Sequence, residues 1–280
     1  MKFLKDKQTR HDFVTYAMCI VAFAIVFFMQ SNHMIPRMIA GQLVPITAYI
    51  VMAISLNLVV GIAGDLSLGH AGFMSVGAYT GIVTAVALES AVPSDPVRLI
   101  ISIVVGAIAA AILGFLIGIP VLRLSGDYLA IATLGFSEII RIVITNAQSL
   151  TNGAQGLKSI PATANIWWCY GAALATIVFI ALLISSSYGR AFKAIREDEI
   201  AAESMGVSLL RHKMLSFMLS AFLAAVGGGL FASYIGTIGP DVFQVSRTYD
   251  ILMIVVMGGM GSISGSVLAA FIVTIGQEWL

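Results

Sequence analysis

Long runs in which nearly every position is apolar, separated by short polar segments, set the pattern of this chain. The runs at 13–29, 39–60, 72–88, 99–122, 128–145, 167–187, 214–236 and 250–275 approach or exceed the roughly 20 residues that a helix needs to cross about 30 Å of hydrocarbon. They are apolar on all sides rather than at every second position, which predicts membrane-crossing helices and not the strands of a β-barrel. The expected fold class is all-α: one polytopic transmembrane helical bundle over 1–280, of about eight spans, with one long polar segment at 188–213.

Two places break the pattern. The first is "GIAGDLSLGH", which follows the second run and is too rich in glycine and polar groups to continue it as a helix. The second, "GGMGSISG", falls inside the last run. Glycine interruptions in two separate parts of a membrane chain point to a transport pathway, because non-helical backbone at membrane depth survives only where protein or water satisfies it. Close helix packing accounts for both places equally well. On the pathway reading, the lining residues are Ser67, Gly69 and His70 in the first break and Gly258, Gly259, Gly261 and Ser262 in the second. An exposed half-helix N-terminus there would suit a substrate carboxylate. Downstream of the first break, Gly77, Gly81 and Ala85 repeat every four residues and form a small-residue stripe for helix packing.

Composition agrees with the pattern and narrows the function classes. Hydrophobic residues make up 59% of the chain and charged residues 10%, with a net charge of +1 and a mean hydropathy of +0.98. No basic patch with interleaved aromatics is present, so nucleic acid is not an expected partner. Cys19 and Cys169 lie in or beside apolar runs without metal-ligand spacing and read as small buried hydrophobes. The basic residues Lys2, Lys5, Lys7 and Arg10 precede the first run, and no small-residue cleavage site follows it, so it reads as an uncleaved span. With that end inside, Arg123, Arg190, Lys193, Arg196, Arg211 and Lys213 also fall inside, while the outer segments hold only Arg37, Arg98, Lys158 and Arg247. The positive-inside rule favours this orientation.

Glu138 and Arg141 lie within the fifth run, three residues apart. A charge at the bilayer centre costs about 2.5–3.5 kcal/mol on insertion scales, so the two are expected to pair with each other, facing the bundle, in preference to contacting a substrate.

The polar segment "YGRAFKAIREDEIAAESMG" is dense in helix formers. Lys193 with Glu197 and Arg196 with Glu199 have helical spacing, and Gly206 suits a left-handed helix end. Phe192, Ile195 and Met205 give partial amphipathicity, and Ala201 and Ala202 offer a smooth face for a partner. The segment predicts a single short helix at the membrane surface.

"AIREDEIAAESMGV" resembles the coupling segment, or EAA loop, of ABC-importer permeases, in the form found in the LivM-type branch of the branched-chain amino-acid family. "SLNLVVGIAGDLSLGHAGFMSVGAY", "TLGFSEIIRIVITNAQSLTNGAQGLKSIP" and "GGMGSISGSVLAA" resemble the same branch, in the same order. The resemblance implies a permease subunit in the bacterial inner membrane, working with a second related permease, two cytoplasmic ATPases and an extracytoplasmic binding protein, and moving branched-chain amino acids or a related small polar solute. It implies ATP and Mg on the partner ATPases, no cofactor on this chain, and a transport subunit rather than an enzyme. It also assigns ATPase coupling to 190–206, with Arg190, Phe192, Ile195, Arg196, Glu199, Ala201, Ala202, Glu203 and Gly206 as the residues concerned. A further apolar segment and a basic tail are expected beyond Leu280.

Two motif look-alikes fail on spacing. "GAQGLKS" lacks the four intervening residues and the Gly-Lys step of a phosphate loop, and "GSISG" has serine second and fourth where a nucleophile elbow needs it third. The rival reading is a secondary transporter coupled to an ion gradient through Asp65, His70, Glu138 or Asp250; it explains the broken helices but not the polar helix.

Overall fold

The computed structural model describes residues 37–158, 160 and 164–279. Its α-helices of six residues or more are α1 (Arg37–Asn57), α2 (His70–Ala87), α3 (Asp95–Val121), α4 (Asp127–Asn146), α5 (Ile166–Ser185), α6 (Ser187–Glu197), α7 (Glu199–Ser204), α8 (Leu209–Ile235), α9 (Val245–Gly258) and α10 (Ile263–Trp279). Among the described residues the one extended pairing is an antiparallel bridge between Leu157 and Ile238. The fold is the expected polytopic helical bundle. The expected span at 13–29 lies outside the described residues.

Among the described residues, five stretches are long and apolar enough to cross a membrane: Gly41–Ala63, Asp95–Val121, Asp127–Asn146, Ile166–Ser185 and Leu209–Ile235. The run at 250–275, expected to cross as one helix, does not. It is divided between α9 and α10, which pack against each other as a hairpin around the turn at 259–262. The glycines explain this: Gly259 and Gly261 have φ of +88° and +87°, which L side chains rarely adopt, and a Cβ on Gly258 or Gly265 would overlap the other's backbone.

The centre of the bundle is α1 and α8, with α2 enclosed beside them. Of the most apolar 18-residue stretch of Gly41–Ala63, 94% is buried, against 22% of the corresponding stretch of Asp127–Asn146 and 33% of that of Asp95–Val121. The outer helices turn Val104, Ile108, Ile112, Leu116, Ile139 and Leu182 outward. Lipid tails are as apolar as these side chains, so they need no cover; association inside the bundle depends on close backbone approach instead. Gly77 supplies it, because α2, α3 and α8 converge there. A Cβ on Gly106 would come within 2.6 Å of the Gly77 carbonyl, and one on Gly77 would overlap Ala225 of α8.

Pro45 lies inside α1, where its missing N–H leaves the Gly41 carbonyl without a helical donor. The Tyr234 hydroxyl of α8 donates to that carbonyl at 3.3 Å. At its other end α1 widens into a π-helical turn, Leu58–Ala63, closed by Gly64 at φ +86°. The chain turns through 64–69 and enters α2 at His70. This end of the bundle also carries α6, α7, Arg123, Arg211 and Lys213, and is called the basic end below.

Candidate functional site

The two interruptions of the sequence meet at the basic end, and Asn57 joins them. Its side-chain carbonyl accepts from the Gly261 N–H at 2.8 Å, and its amide donates to the Ser262 carbonyl at 3.0 Å and the Ser266 hydroxyl at 3.1 Å. Gly61, in the π-turn, lies so close that a Cβ would overlap Gly261 N and the Asn57 side chain. Ser262 closes the arrangement from below, its hydroxyl accepting from the Gly265 N–H at 3.1 Å as the cap of α10.

The polar segment docks on this junction. A sharp corner separates α5 from α6: Ser186 caps α6 by accepting from Tyr188 N–H, and Gly189 passes so near the Ile184 carbonyl that a Cβ would overlap it. One face of α6 then buries Phe192 and Ile195 in the bundle, with the Phe192 ring edge-on to His212 at 6.2 Å. At the end of α6, Arg196 lays its stem against Gly64, where a Cβ would come within 2.6 Å of Arg196 Cγ, and donates through Nη1 to the Gly61 carbonyl at 2.8 Å. Its other nitrogen pairs with Glu197 at 2.7 Å.

The expected single helix is in fact two. Asp198 adopts an extended conformation, φ −160° and ψ 112°, and its carboxylate accepts from the Ile200 and Ala201 N–H groups at 2.9 and 3.0 Å, starting α7. A capping aspartate competes with helix continuation, which is why the segment bends there. The expected Lys193–Glu197 and Arg196–Glu199 pairs do not form. Gly206, at φ +86°, ends α7, and Val207 N–H donates back to Ala202 O.

An ion triad fastens α7. Lys213 Nζ donates to Asp65 Oδ1 at 2.9 Å and to Glu199 Oε1 at 2.7 Å, tying together α8, the 64–69 turn and α7. Lys213 and Asp65 are both buried, and burial raises the Asp65 carboxyl above its ordinary range while Lys213 opposes that rise. Asp65 Oδ2 has no hydrogen-bond partner among the described residues.

Of the coupling residues named from sequence, Arg190, Arg196, Glu199, Ala201, Glu203 and Gly206 are exposed, whereas Phe192, Ile195 and Ala202 face inward. Ala202 was expected to meet a partner and instead packs on the chain itself. The most exposed large apolar residues of this region are Ile200 and Met205, 83% and 84% exposed. Ile200 escaped the sequence reading, though its place beside two alanines in a polar segment carried a signal.

Of the proposed pathway residues, Gly258, Gly259, Gly261 and Ser262 form the turn that Asn57 holds. Ser67, Gly69 and His70 are not brought to them by any hydrogen bond; they are buried among α1, α4 and α8. His70 Nε2 lies 2.7 Å from the Ser55 hydroxyl and 3.5 Å from that of Ser220, and Gly69 packs against Thr133. The N-terminus of α2 is not the exposed half-helix end that was anticipated. Leu68 N–H donates to the Thr133 hydroxyl at 2.9 Å and Ala71 N–H to the Thr248 hydroxyl at 3.0 Å, because buried donors must find acceptors. Glu138 and Arg141 pair at 2.8 Å, both side chains partly exposed. Cys169 is buried and free, and no group of three or more potential metal ligands occurs among the described residues.

This architecture defines an integral membrane protein whose two broken helices are held together beneath a polar helix pair. The chain belongs to the family described as branched-chain amino acid transport system, permease component, whose model matches residues 38–280. It is 36% identical over 268 residues to the high-affinity branched-chain amino acid transport system permease protein LivM of Escherichia coli (strain K12), covering 82% of this chain and 60% of that relative. The same figures hold for LivM of Salmonella typhimurium. It is 29% identical over 212 residues to the autoinducer 2 import system permease protein LsrC of Enterobacter sp. (strain 638), covering 72% and 61%. The chain thus spans about three fifths of the length of these relatives. No solved structure matches it.

Proposed function

We propose that this chain is a permease subunit of an ATP-driven importer and moves branched-chain amino acids, or a related small polar solute, by alternating access. The observation that carries the reading is the α6–α7 pair at the basic end: Ile200 in α7 and Met205 just after it face outward, α7 is tied through Glu199 and Lys213 to the 64–69 turn, and Arg196 of α6 is bonded to the Gly61 carbonyl. Apolar side chains held outward on a polar, well-anchored segment suit a protein groove. The positive-inside rule favours that end facing the cytoplasm of a bacterial inner-membrane protein, with its N-terminus inside. The groove would then belong to one of two ATPase subunits, which bind ATP and Mg.

In this mechanism nucleotide binding draws the ATPases together, α6 and α7 follow, and this chain and a second, related permease rock between outward-open and inward-open states. An extracytoplasmic binding protein delivers the solute. The chain performs no chemistry and needs no cofactor of its own. The LivM names favour branched-chain amino acids, and the LsrC name shows that similarity at this level extends to a different solute.

Reconstitution with the partner subunits in vesicles tests the reading. Uptake should require ATP and the binding protein. Uptake that persists without ATP and follows a proton or sodium gradient overturns it in favour of a secondary transporter.

A further inference from the structure

We propose that Arg196 is the positioning residue that transmits movement of α7 to the two helix interruptions, so that the 58–64 turn and the 259–262 turn shift together as one unit. The inference rests on the importer reading above and names the path by which the ATPase end acts on the membrane part.

The geometry singles out Arg196. The apolar contacts of α6, through Phe192 and Ile195, have no direction along the helix surface and allow sliding. Arg196 makes a directional contact: Nη1 donates to the Gly61 carbonyl at 2.8 Å, and its stem lies across Gly64. The same guanidinium reaches the second interruption, where a Cβ on Gly261 would come within 3.2 Å of Arg196 Nη1. Asn57 already joins Gly261 and Ser262 to the end of α1. A pull on Arg196 is therefore felt by both turns, not by one.

Both turns are suited to move. Each contains glycine at positive φ, Gly64 in one and Gly259 and Gly261 in the other. The π-turn has a wider hydrogen-bond repeat than the α-helix before it, an arrangement that recurs at functional sites. Meanwhile the Lys213–Glu199 bond holds the start of α7 to the base of α8. With Glu199 anchored and Arg196 three residues earlier, across the corner at Asp198, a tilt of α7 turns the end of α6 about that anchor. The alternative route, through the covalent connections to α5 and α8 alone, would leave Arg196 as a packing residue.

The test compares Arg196→Ala and Arg196→Lys with the unmodified chain in the reconstituted importer, measuring solute transported per ATP hydrolysed and the amount of ATPase that co-purifies. Lysine keeps the charge and the stem but cannot hold Gly61 O and Glu197 at once with a planar fork. Transport per ATP should fall about fivefold or more in Arg196→Ala and less in Arg196→Lys, the ratio being taken over the ATPase that remains bound. A purely structural role would reduce transport and hydrolysis in parallel and leave their ratio intact, and that result overturns the inference. Should Arg196→Ala fail to insert, Arg196→Lys decides by the same ratio. Failure of the unmodified assembly to couple uptake to ATP is a separate outcome, which removes the importer reading itself.

Discussion

Asn57 and Gly261, 204 residues apart in the chain, are joined by a hydrogen bond of 2.8 Å from the glycine N–H to the side-chain carbonyl. A lone amide in the apolar stretch "SLNLV" gives the backbone of a broken helix the partner it cannot find in lipid. Asn57→Leu leaves Gly261 N–H and Ser262 O without it, and unsatisfied groups of this kind cost roughly 1–3 kcal/mol each. Asn57→Asp keeps the acceptor for Gly261 but sets a carboxylate against the Ser262 carbonyl. Both variants should lower the midpoint of thermal inactivation in detergent, with leucine the more severe; an unchanged midpoint in Asn57→Leu refutes the role.

Much of this arrangement could be read in advance, and the rest shows what hydropathy averages away. The long spans follow from runs of apolar residues, because the bilayer enforces both length and composition. The run at 250–275 reads as one span because both its halves are apolar and their sum resembles one helix; only the backbone at Gly259 and Gly261 separates them. The inward turn of Ala202 had a local signal, since 192, 195, 199 and 202 share helical spacing, and Phe192, Ile195 and Ala202 are indeed the buried positions. The junction of Asn57 with Gly261, and that of Lys213 with Asp65, had none. They are long-range pairings, and a single chain read end to end gives each residue without its partner.

The glycines separate into two kinds with opposite expected responses. Gly77 of α2 faces the backbone of Ala225, so Gly77→Ala forces α2 and α8 apart and should destabilise by about 1–3 kcal/mol, as overpacking does. A Cβ on Gly135 of α4 would meet nothing within 4 Å among the described residues. Gly135→Ala should be neutral or stabilising by up to about 1 kcal/mol through helix propensity. Thermal inactivation of the two variants side by side checks this, and equal effects would mean that the α2–α8 contact is not close.

Lys213 should matter more than Asp65. Asp65→Asn leaves Lys213 its bond to Glu199, whereas Lys213→Met strands a carboxylate whose side chain is 8% exposed. Removing one partner of a buried ion pair costs about 3–5 kcal/mol. The loss should also depend on pH in a defined direction. Burial already raises the Asp65 carboxyl, and without Lys213 it rises further. A folded-state pKa above the unfolded one gives stability that is present at low pH and lost as pH rises through the folded value. Lys213→Met should therefore be closest to the unmodified protein in acid and fall furthest behind at neutral pH. Asp65→Asn in the Lys213→Met background should remove that dependence, and a flat profile in the single variant would show that Asp65 is not held as described.

Ile200 and Ala202 distinguish a docking surface from a packing contact within one turn of α7. Ala202 is buried, so Ala202→Arg must push α7 off the bundle; it should lower stability and, with it, every activity. Ile200 is 83% exposed, so Ile200→Asp should leave insertion and thermal stability within about 0.5 kcal/mol of the unmodified chain, as surface substitutions do. On the importer reading the same substitution places a charge in the ATPase groove, and ATPase co-purification should drop about tenfold, the equivalent of losing one well-packed apolar anchor at an interface. Met205→Asp, at the other end of α7, should act in the same direction. If both variants retain the ATPase at the unmodified level while Ala202→Arg loses it through unfolding, the groove lies elsewhere and α7 is a strut of the bundle rather than its docking point.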